Sequence, residues 1–174
     1  MSTIASDHSL PGRPRTAGEV VGVFARLRAD LAAVASWVAD DAAGSLRSDG
    51  GLRLDGELLH QVMLGLVRLG GVLDAHTAAV ADVWRGDGYW GLDGSTSAPA
   101  TLARETGRSL GSCRVILSRA RKTYQSMPAT QAAWAAGQVT SEAVDLLTHA
   151  NTTPRGSVFE RDEQTLVEQA AGLR

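Results

Sequence analysis

Two long stretches of the chain repeat their large apolar residues every three to four positions, a period that an α-helix satisfies and a strand of similar length does not. The first stripe is Val20, Val23, Phe24, Leu27, Leu31, Val34 and Val38. The second is Leu59, Val62, Met63, Leu66, Leu69, Leu73, Val80 and Val83–Trp84. Composition supports the same reading: 27 Ala and 20 Leu stand against only 2 Ile, 2 Phe and 2 Tyr, so helix formers abound and sheet formers are scarce. Composition therefore argues against a large β-sandwich. With 174 residues, 44% hydrophobic and 21% charged, the chain suits one globular domain with its own core. Arg26, Asp30, Arg68 and Asp74 interrupt the apolar stretches, which argues against a membrane span, and the N-terminus lacks the basic-then-apolar order of a secretory signal. A lone Cys113 leaves no internal disulfide and no multi-Cys zinc site, and fits a reducing cytoplasm.

Turn chemistry divides the rest. Residues 1–16, with Pro11, Gly12 and Pro14 and no apolar period, read as a flexible tail. Asp49, Gly50 and Gly51 punctuate the chain between the two long helices, expected from about Ala17 and over Glu57–Trp84. Gly65, Gly70 and Gly71 weaken the second helix and suggest close helix–helix approach. Four Gly among Asp and Ser make 85–97 a loop, with a tight turn at Asp93–Gly94; its spacing is not that of a phosphate-binding loop. Ser97 then caps a short helix to Thr106, Gly107 stops it, and Ser109 or Ser112 caps the next, to Ser126. Pro128 opens a helix ended by Gly137, Thr140 or Ser141 caps another to Ala150, and a last amphipathic segment follows from Ser157. That segment reaches Arg174 without a stop signal, so the chain is expected to end inside, or at the edge of, something larger.

The net charge of −2 hides an uneven distribution. Between residues 101 and 124, Arg104, Arg108, Arg114, Arg119, Arg121 and Lys122 face Glu105 alone, a local charge of +5 that leaves −7 for the rest. Such an island is either a phosphate-facing surface or a solvated helix face. The same stretch has the spacing of a helix-turn-helix: small Ala103 where the helices meet, Gly107 in the turn, and Cys113 and Ile116 at buried positions six and nine residues later. Cys113, Ile116, Leu117, Ala120, Tyr124 and Met127 share one side of the second helix. Arg114, Ser118, Arg121, Lys122 and Gln125 take the opposite arc, with Arg119 at its edge. A helix lying so in a major groove would turn Ser112, Arg114 and Val115 toward base edges and Arg121 and Lys122 toward phosphates. Arg108 stands after the turn glycine, where an apolar residue is usual. Plain helical-hairpin packing has the same spacing.

These residues carry a resemblance. From about Leu54 to Ala170 the chain resembles the domain-of-unknown-function 222 family, or 13E12 repeat family, abundant in actinobacteria. The match runs through Asp93-Gly94-Ser95-Thr96-Ser97, Leu102-Ala103, Thr106-Gly107 with Ser109, Arg114, Ala120, Met127-Pro128-Ala129-Thr130, and Gly137, Val139 and Thr140. Thr101 replaces a frequent Trp and Cys113 a usual Ala. Family members commonly carry an HNH endonuclease domain after this region, so the resemblance implies a helical domain accompanying a DNA-cutting module; it lends no catalytic residues.

The nuclease chemistry is absent from the sequence. An HNH site needs a ββα fold with a metal-binding His, an Asn and a His as general base. Here His8, His60, His76, His149 and the single Asn151 are scattered. Sixteen residues apart on one helix, His60 and His76 point to nearly opposite sides. Glu142, Asp145 and His149 share a helix face but supply too few ligands for a metal, and read as a polar face. Trp84 and Trp90, which could stack on bases, read as caps on the core. The expectation is thus an all-α domain of six to seven helices over 17–174, with no catalytic residues, metal or cofactor. Its function is expected to be a DNA-binding accessory role in an HNH-endonuclease-like protein, through Arg108, Ser112, Arg114, Ser118, Arg121 and Lys122. The rival is a helical protein–protein module, docking a nuclease domain or other protein through the long helices; a cytoplasmic location and no membrane partner are expected in either case.

Overall fold

A computed structural model describes residues 16–46 and 56–172; the predicted tail, apart from Thr16, and the glycines at 50–51 lie outside the described residues. All regular structure described is helical: seven α-helices and two short 3-10 turns. The chain divides into two compact units, 1–61 and 62–174.

The first unit holds helix α1 (Ala17–Leu46). Its start is a reciprocal cap: the Thr16 hydroxyl accepts from the Glu19 N–H at 3.2 Å, and the Thr16 N–H donates to the Glu19 carboxylate at 3.3 Å. None of its described side chains is buried, and Phe24 and Trp37 stand exposed on the apolar stripe. Helix α2 (Gly56–Asp87) begins in this unit and continues into the second. By length and composition α2 is apolar enough to cross a membrane, despite Arg68 and Asp74. Its buried residues are three alanines, Ala75, Ala78 and Ala81.

The second unit packs the end of α2 with α3 (Ala98–Thr106), α4 (Leu110–Ser126), α5 (Pro128–Ala135), α6 (Ser141–Ala150) and α7 (Gly156–Gly172). Its core is Leu117, Met127, Trp134, Val144, Phe159 and Val167, joined by the three alanines of α2. Local sequence sets the boundaries. The hydroxyls of Ser97, Ser109 and Thr140 accept the N–H groups of Ala100, Ser112 and Ala143, capping α3, α4 and α6. At Glu142, in the first turn of α6, its own backbone N–H and then the Thr140 hydroxyl hold the carboxyl below its usual range. Gly107 ends α3 at φ 69°, and Gly137 follows α5 at φ 66° with Gln138 N–H donating back to Ala133 O at 2.8 Å. Met127 has no side-chain oxygen with which to cap α5. Instead the buried Glu163 reaches across from α7 and accepts the Thr130 N–H at 2.7 Å. Cys113 is fully buried in α4, as its place on the apolar side predicts. Tyr124, expected on that side, is exposed, although its angular position lies between those of buried Cys113 and Leu117.

Candidate nucleic-acid interface

Helices α3 and α4, joined by the turn 107–109, pack against each other and are the pair whose spacing suggests a helix-turn-helix. Leu102 and Ala103 are half-buried, and Cys113, Leu117 and Ala120 are buried. That packing leaves one arc of α4 in solvent. Arg114, Ser118, Arg121 and Gln125 follow one another along it at i, i+4, i+7 and i+11, a single exposed strip. Within it, Arg121 Nε donates to Gln125 Oε1 at 3.4 Å, and Gln125 Nε2 donates to Asp82 on α2 at 3.3 Å.

The six residues singled out from sequence are all exposed, but they do not form one surface. Arg114, Ser118 and Arg121 share the strip. Ser112 sits in the first turn, its hydroxyl 2.8 Å from that of Ser109, so it belongs to the cap. Lys122 leans off the strip toward α6, where its Nζ donates to the Thr148 carbonyl at 2.9 Å. Arg108 borders a cavity of about 170 Å³ whose wall includes Asp74, Thr77, Ile116, Arg119 and Trp134.

The basic island is also partly neutralised from within. Arg119 donates through Nε and Nη2 to both oxygens of Asp145, at 2.7 and 2.6 Å, and its guanidinium lies 5.6 Å from the centre of the Trp134 ring. Asp74 approaches it at 3.8 Å. Arg104 reaches back over the glycine-rich loop to Asp93, and donates to the Ser95 hydroxyl at 2.8 Å and to Glu105. The hydroxyl and backbone N–H of Ser95, together with Arg104, hold the Asp93 carboxyl below its usual range. The guanidinium of Arg104 is correspondingly raised by Glu105 and Asp93. Arg108, Arg114 and Arg121 are left with no carboxylate partner among the described residues, so the outward charge is smaller than a count of cations gives.

Sequence reasoning missed the inward use of Arg119 and Lys122, because Asp145 and the Thr148 carbonyl each lie 26 residues away. The one local signal was the position of Arg119 at the edge of the buried arc. It also missed a polar chain in which Trp134 Nε1 donates to Ser141 Oγ at 3.2 Å and Ser141 donates to Asp74 at 2.9 Å. The chain links α2, α5 and α6.

Other predicted candidates take structural places. Trp90 Nε1 donates to the Arg85 carbonyl at 3.0 Å, and Trp84 and Trp90 pack against the core. Asp145 is occupied by Arg119, and His149 Nδ1 sits 2.7 Å from the Asp145 carbonyl. Among the described residues no three His, Cys, Asp or Glu side chains are grouped to hold a metal ion. No protein-family model matches the chain, and no curated protein or solved structure matches it.

Proposed function

We propose that the chain is a non-catalytic nucleic-acid-associated domain, and that α4 is the helix it lays against DNA. The observation that carries this reading is the exposed strip of Arg114, Ser118 and Arg121 on the second helix of a capped pair with helix-turn-helix spacing, with Arg114 and Arg121 free of carboxylate partners among the described residues. In such an element the first turns of the second helix approach base edges while cations further along reach phosphates. That geometry would give Arg114 the base-proximal role and Arg121 a backbone role. Arg108, beside the turn, adds a third cation within reach of the backbone.

The resemblance to the domain-of-unknown-function 222 family supports the same reading and suggests a neighbouring HNH nuclease as the module served. The residues carrying that resemblance do structural work: Arg104 ties Asp93 and Ser95 to α3, Ser97 caps α3, and Gly137 and Thr140 end one helix and start the next. Catalysis is not assigned to this chain. The test is binding to a labelled DNA duplex at 50 and 200 mM salt, comparing wild type with Arg114→Ala and Arg121→Ala. Affinity that falls with salt and with each substitution supports the reading; binding indifferent to both overturns it.

A further inference from the structure

Three aromatic side chains gather where α2 runs into its glycine-rich loop. The chain has 4 Trp, 2 Tyr and 2 Phe, and of these Trp84, Tyr89 and Trp90 line one cavity of about 490 Å³. Trp84 and Trp90 give part of their surface to the core, and Tyr89 gives none. The bond from Trp90 Nε1 to the Arg85 carbonyl fixes that ring against the last turn of α2, which also carries Trp84. Asp93, Arg104 and Glu105 are the charged groups of the wall. Every residue of the wall lies between 84 and 105, inside the second unit.

From this wall we infer that the cavity binds a small organic cation carrying a quaternary ammonium group. Three observations select that chemistry. The first is the rings: the negative face of an aromatic ring attracts a cation within about 6 Å of its centre, and a methylated ammonium also suits apolar walls. The second is charge. Two carboxylates, Asp93 and Glu105, stand against Arg104 alone, so the wall is net negative. Asp87 and the C-terminal end of α2 add negative potential beside Trp84, while Arg85 in the same turn is paired with Asp82. The third is the state of Arg104. Its Nε, Nη1 and Nη2 donate to Glu105, Ser95 and Asp93, so none of these atoms is left for a phosphate or a carboxylate. A nucleotide would find rings to stack on and no anchor for its charge. The volume falls within the roughly 300–1,000 Å³ of small-molecule sites. This inference does not depend on DNA binding.

The test is a titration of the full chain with choline at constant ionic strength, followed by NMR shifts of the backbone and indole N–H groups. Saturable shifts at Trp84, Tyr89, Trp90 and Thr101 are expected. Choline should bind at least tenfold more tightly than its neutral isostere, which has carbon in place of nitrogen. Tyr89→Ala should weaken binding at least fivefold and Tyr89→Phe little, since a phenyl ring keeps the attracting face. Helicity should be unchanged in both, because Tyr89 lies outside the core. Glu105→Gln, which removes the excess carboxylate, should weaken choline and leave the isostere alone. No saturable shift up to about 50 mM choline overturns the inference. Equal binding of the isostere does so too, by making the cavity a plain apolar groove, as does choline affinity indifferent to Tyr89→Ala and Glu105→Gln. Binding to phosphatidylcholine vesicles without binding to free choline would assign the site to a lipid surface and equally overturn it.

Discussion

Arg119 on α4 and Asp145 on α6 meet through two parallel hydrogen bonds of 2.7 and 2.6 Å, with the guanidinium beside Trp134. A fork of this kind fixes the angle between two helices as well as their distance. It also withdraws from solvent the cation at the centre of the basic island. Arg119 side-chain exposure is 16% and that of Asp145 is 40%, so the pair is neither fully buried nor a surface pair screened by water.

Arg119→Ala is therefore expected to destabilise the fold by about 1–3 kcal/mol, from an unpaired Asp145 and lost packing on Trp134. DNA affinity of the folded variant should change little. Chemical denaturation followed by Trp fluorescence measures the first effect, and anisotropy at low salt the second. A stable variant with weakened DNA binding would put Arg119 on the interface after all.

Glu163 caps α5 from α7 through its 2.7 Å bond from Thr130 N–H, in a buried setting. Glu163→Ala removes the acceptor and leaves a buried N–H unsatisfied, so a loss of about 1–3 kcal/mol is expected. Glu163→Gln keeps an acceptor oxygen but loses the charge at the helix N-terminus, so its loss should be smaller. Urea melts of the two variants rank them; equal losses would show that the charge, not the hydrogen bond, matters.

Much of this fold was legible because its determinants are local. Ser97, Ser109, Thr140, Gly107 and Gly137 each act within four residues of themselves, and the helix boundaries follow from them. Buried Cys113 and Leu117 follow from the 3.6-residue period of α4. What was not legible is which cations turn inward. Arg119 has the same side chain as Arg114 and Arg121, and Lys122 the same charge, and only the arrival of α6 beside α4 turns Arg119 and Lys122 inward. The Glu163 cap was hidden for the same reason, its partner lying 33 residues away.

Gly107 adopts φ 69°, a region disfavoured for side chains branched at Cβ, and nothing lies within 4 Å of where a Cβ would stand. Space is thus not the constraint, and the cost is backbone strain alone. Gly107→Val should destabilise by about 1–3 kcal/mol, whereas Gly107→Asn, which tolerates this region, should lose less. Thermal melts that show the two variants alike would remove backbone conformation as the reason for the glycine.

Asp93 and Arg104 hold the loop before α3 to that helix. The Asp93 carboxyl is held below its ordinary 3.8 by Ser95 and then Arg104. A depressed folded pKa means that the contribution is present above the unfolded value and lost as pH falls through the folded one. The clamp should therefore persist at pH 5 and release below pH 3.8. Carboxyl-carbon NMR titration should place the Asp93 midpoint below the ordinary value in wild type and nearer to it, though still lowered by Ser95, in Arg104→Ala. A wild-type midpoint at or above the ordinary value would refute the clamp.

The salt dependence of DNA binding separates the cations of α4. If Arg108, Arg114 and Arg121 each neutralise one phosphate, the log–log slope of affinity against salt should be about −3. Arg121→Ala should reduce it by about one and weaken all sequences alike. Lys122→Ala should have a smaller effect, because Nζ already donates to the Thr148 carbonyl and must give up that bond to reach a phosphate. Arg114 stands nearer the helix start, so Arg114→Ala should flatten whatever discrimination between sequences the wild type shows. Anisotropy titrations on two unrelated duplexes, between 50 and 200 mM salt, read all three. Equal slopes in the Arg121 and Lys122 variants would place both ammonium and guanidinium on the DNA, and a wild-type slope near zero would remove α4 from the interface altogether.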